Sequence, residues 1–592
     1  MSKGLLMNID YKGPRPWNSM TMEDHSKELG CLVGPKNVST DPLECLAYGR
    51  DMSVHEGVPD IIVLPGSTEE VSKVLRYAND HCIPVTPRGA GTSVTGAVLP
   101  IKGGIVLDMS QMDKIISIHP KDRTMVVEAG AVCAKVNTAA GEHNLFFPPD
   151  PGSSEVCTVG GMAATNATGL KAVKYGPTRN WIKALQVVLA DGSVIRTDAR
   201  PPRAISGYDL THMFTSSEGT LGVITELTLR LMPIPTHSRS ISAFFDDINS
   251  AGKAVTDMLS QDIDLSSCEV MDRESILVIE KVMGIKDHGS DAIIIMEVTG
   301  DKAHVASNVK QALKACKAAG AVKVTSTSHP EKVAVLWKSR RGLVPSFSRL
   351  RPGSRLVPIA EDFAVPPSKI PEAIKAIQKV ARKNKMHIIT FGHGDGNLHP
   401  TFIIDVRKRS EWDRLRKAAI ELVDLALSMG GTITAEHGIG LAKAPFIRKE
   451  QGLALDTMAA IKSALDPKGI MNPGKMGMTD TVPDIFDHFA FKRIVENPKA
   501  ARSFGKEIDD LILACTQCGL CRRACTDTDA KVLLALAYKI YDGSLEINEG
   551  LAKKFRACRE CNKCMDRCPA GIDVPRVVKA ILKRSDGLKR TA

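Results

Sequence analysis

The apolar pattern changes period several times along the chain. Residues 61–64 form a short unbroken apolar run, as in a strand covered on both faces. PGSTEEV then opens a helix, with Ser67 or Thr68 as cap and Glu70 close behind. Another short strand is expected at 83–85, and LQVVLADGSVIRT reads as two strands joined by a two-residue Asp191-Gly192 turn. Farther on, strands at 240–245, 291–298 and 387–391 alternate with helices at 301–320, 371–384 and 411–429. The alternation predicts an α+β architecture, and after residue 505 the pattern is helical, notably at 531–541.

With 592 residues the chain exceeds one core and suggests about three to four domains. Hydrophobic residues at 43% and charged residues at 24% suit a globular protein, and no segment approaches the roughly 20 apolar residues that span a bilayer. MSKGLLMNIDYKGPRPW has neither a signal-peptide pattern nor twin arginines, so a cytoplasmic location is expected, with any membrane contact made through a partner at the inner face. The net charge of +11 is spread thinly: residues 506–592 carry 17 Lys and Arg against 12 Asp and Glu, without a long basic run. That argues against nucleic acid and leaves an anionic cofactor, anionic substrate or acidic partner as fitting alternatives to a solvated surface.

The chemistry begins at PRGAGTSVTGA, residues 87–97. Gly89, Gly91 and Gly96 allow close backbone approach and Arg88 supplies a cation, a combination suited to a pyrophosphate. Three more glycine-bearing stretches follow: FPPDPGSSEVCTVGGMAATNATG, KYGPTRNWI and SSEGTLGVITELTLRLMPIP. Together they resemble the FAD-binding domain of the vanillyl-alcohol-oxidase type, in the branch of D-lactate dehydrogenases, the glycolate oxidase flavin subunit and D-2-hydroxyglutarate dehydrogenases. The resemblance spans roughly residues 41–475. It implies that Arg88, Gly89, Ala90, Gly91, Thr92 and Ser93 hold the pyrophosphate, with Gly96 in the same loop. It runs Pro151, Gly152, Ser153, Gly160, Gly161, Asn166 and Gly169 along the flavin, places Gly219, Gly222, Val223 and Ile224 on the adenine side, and returns the chain to the flavin at Asn472. Gly91-Thr92-Ser93 stands where some relatives carry a flavin-linked histidine, so the FAD is expected to be non-covalent.

FGHGDGNLHP and TAEHGIG concentrate the remaining polar chemistry. Two imidazoles and a carboxylate form a common facial set for a divalent metal, and His393 and His399 are an even number of residues apart. A hydrogen-bonded loop is the plainer alternative for either motif alone. By resemblance, His393, His399 and Glu436 hold the metal (zinc, manganese or iron) and His437 is the catalytic base, with Asn397 a further catalytic candidate. The relatives read H-x-G-D-G-N-L-H; this chain is one residue shorter, so a local bulge or a changed ligand at His393 must absorb the difference. In LWKSRR, Arg340 matches the relatives' substrate-carboxylate anchor, while Arg341 fits surface charge.

Eight of the fifteen cysteines lie in the last 78 residues, twice in the spacing C-x2-C-x2-C-x3-C. In two-cluster ferredoxins the fourth cysteine serves the other cluster, which assigns Cys515, Cys518, Cys521 and Cys568 to one [4Fe-4S] centre and Cys558, Cys561, Cys564 and Cys525 to the other. Structural zinc is the less specific competitor. The helical setting resembles the ferredoxin domain of succinate dehydrogenase's iron-sulfur subunit. The expected organisation is an N-terminal extension (1–30), an FAD-binding domain (31–235), a cap (236–475), a linker (476–505) and an all-α ferredoxin domain (506–592).

These parts imply oxidation of a D-2-hydroxy acid to the 2-oxo acid, with electrons leaving through the clusters. The acceptor would be an electron-transferring flavoprotein, a heterodisulfide-reductase-like subunit or a quinone-linked membrane complex. Two rivals are an electron-transfer subunit without its own turnover, and a redox-neutral transferase resembling alkyl-dihydroxyacetonephosphate synthase, which gives no use for two clusters.

Overall fold

A computed structural model describes residues 20–197, 206–283, 289–349, 351–479, 482–524 and 528–591. Near the N-terminus a four-stranded sheet orders Val38–Ser39, Ile61–Val63, Ile105–Asp108 and Val85–Arg88, the last three parallel. The helix Thr68–Asp80 covers it with Val71, Val74, Leu75 and Ala78. Ser67 caps this helix by accepting the Glu70 N–H at 3.2 Å, and Glu70 Oε2 accepts from the Gly66 N–H at 2.7 Å. The predicted strand at 83–85 instead begins at Val85 and runs through Arg88, so the glycine loop leaves directly from a strand end.

A five-stranded antiparallel sheet stands beside it, ordered Ile115–His119, Thr124–Glu128, Val223–Arg230, Ile182–Val188 and Val194–Arg196. Its hairpin departs from the expected two-residue turn. The Gly192 N–H donates to Leu189 O and the Leu189 N–H to Ser193 O, so Ala190 and Asp191 are the central turn residues. Gly192 follows them at φ 83°, a conformation glycine adopts without a Cβ penalty.

The cap is an eight-stranded antiparallel sheet: Lys323–Thr327, His237–Phe245, Ala292–Gly300, Ser267–Asp272, His387–His393, Asn397–Ile404 and Arg355–Val357, with Phe363–Ala364 pairing Asn397–Ile404. The helices Lys302–Ala318, Ile370–Asn384 and Arg409–Ser428 fall within a residue or two of the expected bounds. Beyond the cap come the helices Lys506–Ala514, Ala530–Tyr541, Glu549–Arg556 and Val574–Thr591.

The stretch expected to be a linker is a packed strap. Phe486, Phe489 and Phe491 gather on Trp412 with ring centroids 5.6, 4.5 and 6.0 Å away, and His55 pairs with Phe489 in a β-bridge. Tyr538 in the C-terminal helices donates its hydroxyl to Ala490 O at 2.8 Å. Cap, strap and C-terminal helices therefore share one apolar core. Among the described residues no helix is long and apolar enough to cross a membrane.

Candidate active site

A cavity of ≈ 260 Å³ opens where the glycine loops, the cap sheet and the first cysteine run meet. Gly89, Ala90, Gly91, Thr92 and Ser93 line one wall, and Pro151, Gly152, Ser153, Gly161 and Gly169 continue it. Only bare backbone fits much of this wall. A Cβ on Gly89 would lie 2.3 Å from Thr158 Oγ1, and one on Gly169 2.2 Å from Asp150 O. Exposed main-chain amides and close approach are what a bound dinucleotide requires.

The other expected cofactor residues brace this wall from behind. Arg88 does not reach the cavity: its Nη1 donates to Tyr48 O at 3.1 Å and its Nη2 to Arg50 O at 2.8 Å, beneath Gly91. The guanidinium lies against the underside of the loop with its N–H groups on two carbonyls, so its charge is not presented at the cavity wall. Gly96 packs on Leu441, Gly160 on Ala129, Gly219 on Pro87 and Gly222 on Val187, while Val223 and Ile224 are buried strand residues. Asn166 closes a helix in the left-handed region and accepts the Arg179 N–H at 2.9 Å. Asn472 Nδ2 donates to Ala97 O at 2.9 Å and Glu218 O at 2.7 Å, tying two of the loops together.

The opposite wall is ionic. Three imidazole Nε2 atoms converge on Glu436 Oε1: His399 at 3.1 Å, His437 at 3.2 Å and His393 at 3.5 Å. The strands His387–His393 and Asn397–Ile404 place His393 and His399, pairing Phe391 with His399 and Gly392 with Leu398. The two strands are joined by the short 394–396 turn, where Gly396 sits at φ 106°. Each Nδ1 is held from outside: His393 by Glu269 Oε1 at 2.5 Å, His399 by Glu361 O at 3.2 Å, His437 by Glu361 Oε1 at 2.9 Å. Fixing Nδ1 commits Nε2 to whatever lies at the centre.

Burial works against charge on these imidazoles, yet Glu269 and Glu436 hold the His393 pKa well above its usual value, and Glu361 and Asp362 do the same for His437. Conversely, and again against burial, the histidines hold Glu436 well below the usual carboxylate range. Asp362, His399, Glu436 and His437 bring one ligand atom each within 4.8 Å of one another. Asp362 Oδ2 accepts from Lys443 Nζ at 2.8 Å, Thr434 Oγ1 at 2.7 Å and the His437 N–H at 2.9 Å, while its Oδ1 is buried without a partner. Thr168 also donates its hydroxyl to Glu436 Oε2.

Arg340 is buried in the same wall, with Nε on Glu269 Oε2 at 2.6 Å and its guanidinium 4.9 Å from the Phe391 ring centre. Arg341 pairs with Asp150 at 2.5 Å. Asn397 is buried at the start of its strand, away from the cavity wall, and its Oδ1 has no partner. Sequence reasoning missed Glu269, Glu361, Asp362, Lys443 and Thr168. The two acids inside apolar PIAEDFAV were a readable signal for Glu361 and Asp362.

Thr516, Cys518 and Leu520 complete the cavity wall. Burial, and then the charge of neighbouring cysteines among Cys515, Cys518, Cys521 and Cys568, pushes Cys515 up to about 11 and raises Cys521 and Cys568. Cys558, Cys561 and Cys564 form a second group. Cys525 lies outside the described residues.

Over 467 residues the chain is 36% identical to the glycolate oxidase subunit GlcD of Bacillus subtilis strain 168, covering 78% of this chain and 98% of that protein. Residues 59–198 match the model of an FAD binding domain, and 234–476 that of the C-terminal domain of FAD linked oxidases. The chain belongs to the FAD-linked oxidase family. The mitochondrial D-lactate dehydrogenase [cytochrome] of Arabidopsis thaliana is 35% identical over 74% of this chain and 78% of its own length. A D-lactate dehydrogenase of Archaeoglobus fulgidus is 34% identical over 70% and 91%. In fold the chain is similar to p-cresol methylhydroxylase (TM-score 0.64, 18% identity, covering 77% of this chain and 96% of that one). It is likewise similar to alkyldihydroxyacetonephosphate synthase (TM-score 0.62, 20% identity, 80% and 89%). Membership makes this an FAD-dependent oxidoreductase, and the glycine-walled cavity fits the cofactor.

Proposed function

We propose that the chain is a dehydrogenase of a D-2-hydroxy acid, D-lactate or a glycolate-like acid, passing electrons through two [4Fe-4S] clusters to a separate acceptor. One observation carries this reading: three imidazoles and Glu436 converge beside Arg340 on the wall facing the glycine loops. Four carboxylates (Glu269, Glu361, Asp362, Glu436) face Arg340 and Lys443 and favour protons on His393 and His437; one divalent ion in place of those two protons would keep the same charge balance. His393, His399 and Glu436 would hold that ion, with Asp362 beside them, its Oδ2 taken by donors and its Oδ1 unpartnered. Bound there, it supplies polarisation of a substrate hydroxyl. Bound FAD supplies the hydride acceptor.

The chain's own residues do the rest. Arg340, anchored at Nε by Glu269, keeps its terminal nitrogens for a substrate carboxylate in a two-point fork. His437 Nε2 takes the hydroxyl proton, and Glu361 at its Nδ1 stabilises the imidazolium that results. Thr168 holds the orientation of Glu436. Crowded thiols, buried at Cys515 and half-buried at Cys518, Cys521 and Cys568, suit iron, and the clusters would supply one-electron carriage. The relatives' names, D-lactate dehydrogenase and glycolate oxidase subunit, support the substrate class.

Anaerobic bleaching of the flavin absorbance by a panel of D- and L-2-hydroxy acids tests the reading. One D-acid should bleach it rapidly in the wild type and not in His437→Ala. A chain loaded with FAD, iron and divalent metal that no acid bleaches would favour the electron-transfer subunit instead.

A further inference from the structure

Three parts of the chain gather buried cations near the first cysteine run: Arg355 touches its first residue, Arg50 stands beside Arg355, and Lys531 Nζ lies by Gly519 and donates to Gly91 O at 3.3 Å. Arg50 comes from the FAD-binding part, Arg355 from the edge strand Arg355–Val357 of the cap sheet, and Lys531 from the first turn of the helix Ala530–Tyr541. Their exposures are 3%, 3% and 7%. Arg355 Nη1 donates to Cys515 O at 2.7 Å, but its Nε and Nη2 are buried without an acceptor. Arg50 Nε and Nη1 likewise lack one, the nearest carboxylate oxygen, on Glu56, lying 3.9 Å from Nη1. Both guanidiniums stand over Phe491, at 5.6 and 5.2 Å, so they are neighbours of like charge. Burial and the charge of Arg50 together bring Arg355 down to about 10.

The local anions do not match this charge. Asp108 is engaged by the Tyr48 hydroxyl at 2.5 Å and the Ser110 N–H at 2.9 Å. Asp51 is buried with Oδ2 unpartnered. A buried guanidinium with unanswered N–H groups is costly, and two side by side more so. An anionic centre at the cysteines would answer them, and Gln517 already directs its Nε2 to Cys515 Sγ at 3.3 Å.

We propose that Arg50, Arg355 and Lys531 form a cationic seat that raises the midpoint potential of the cluster ligated by Cys515, Cys518, Cys521 and Cys568. The inference rests on the iron-sulfur reading above. A cysteinate-bound cluster gains negative charge on reduction, so fixed positive charge in a low-dielectric surrounding favours the reduced form. Arg355 also positions Cys515 through its carbonyl, so charge and position must be separated experimentally.

The test is an EPR-monitored redox titration of the anaerobically reconstituted full chain. Arg50→Gln touches no cysteine backbone; Lys531→Gln removes another cation of the seat; Arg355→Lys keeps the charge and alters the bond to Cys515. In whichever of Arg50→Gln and Lys531→Gln loads iron fully, the expected result is a tenfold loss in the one-electron reduction equilibrium of one cluster, 59 mV downward, with the other unmoved. Arg355→Lys should shift that potential less than Arg355→Gln. Fully loaded variants with both potentials at wild-type values overturn the proposal. A wild-type chain that takes up no iron overturns the cluster reading itself, and the seat with it.

Discussion

At the residue scale, His437 and Arg340 have distinguishable parts to play. His437→Ala should lower kcat by about 10²–10⁴-fold, the usual range for a general base, while FAD content stays at the wild-type level. Arg340→Lys removes the fork and its anchor on Glu269; kcat/KM for the hydroxy acid should fall roughly 10- to 100-fold, matching about 1.5–3 kcal/mol for a charge-assisted hydrogen bond. Steady-state kinetics on the FAD-loaded variants checks both. The motif residues were legible because glycine-flanked histidines and a TAEH run are rare outside sites. Glu269 and Thr168 were not, since an isolated acid or hydroxyl carries no local pattern; they became site residues only when non-adjacent segments met.

At the element scale, strand register places the histidines. Pairing of Phe391 with His399 fixes which side chains share a face. The strand Ser267–Asp272 provides a pH test of the same sheet. Asp272 is buried, accepts the Thr390 N–H at 2.5 Å, and burial raises its pKa from 3.8 to about 6. Between those values the folded chain holds a proton that the unfolded chain has released, so stability should fall as pH rises through this window and level off above it. The loss amounts to about 1.4 kcal/mol per pH unit, roughly 3 kcal/mol in all. Denaturant unfolding at pH 4 to 7 should show this slope in the wild type and not in Asp272→Asn. At the first helix, Ser67→Ala should cost about 1 kcal/mol through the lost cap.

At the scale of the whole molecule, the aromatic strap decides how the parts behave together. Phe491 is fully buried between Trp412 and Tyr538, so Phe491→Ala should destabilise by about 3–5 kcal/mol and lower the melting temperature of cap and C-terminal helices in one transition. Separate transitions for the two would contradict the shared core. Removing divalent metal with a chelator should abolish hydroxy-acid oxidation and leave FAD absorbance unchanged, because the glycine wall contains none of the imidazoles.

The sequence alone determined the α+β architecture, the helices near 301–320, 371–384, 411–429 and 531–541, the glycine loops and the cysteine spacing, because each is written in neighbouring residues through periodicity, capping and ligand geometry. Tertiary structure alone decided that Arg88 lies beneath the glycine loop, that 482–505 is a strap, that Cys518 reaches the cavity wall and that Arg355 meets both Arg50 and the Cys515 carbonyl. Those facts depend on which distant segments pack together. Burial then fixes where each charge finds a partner or goes without one.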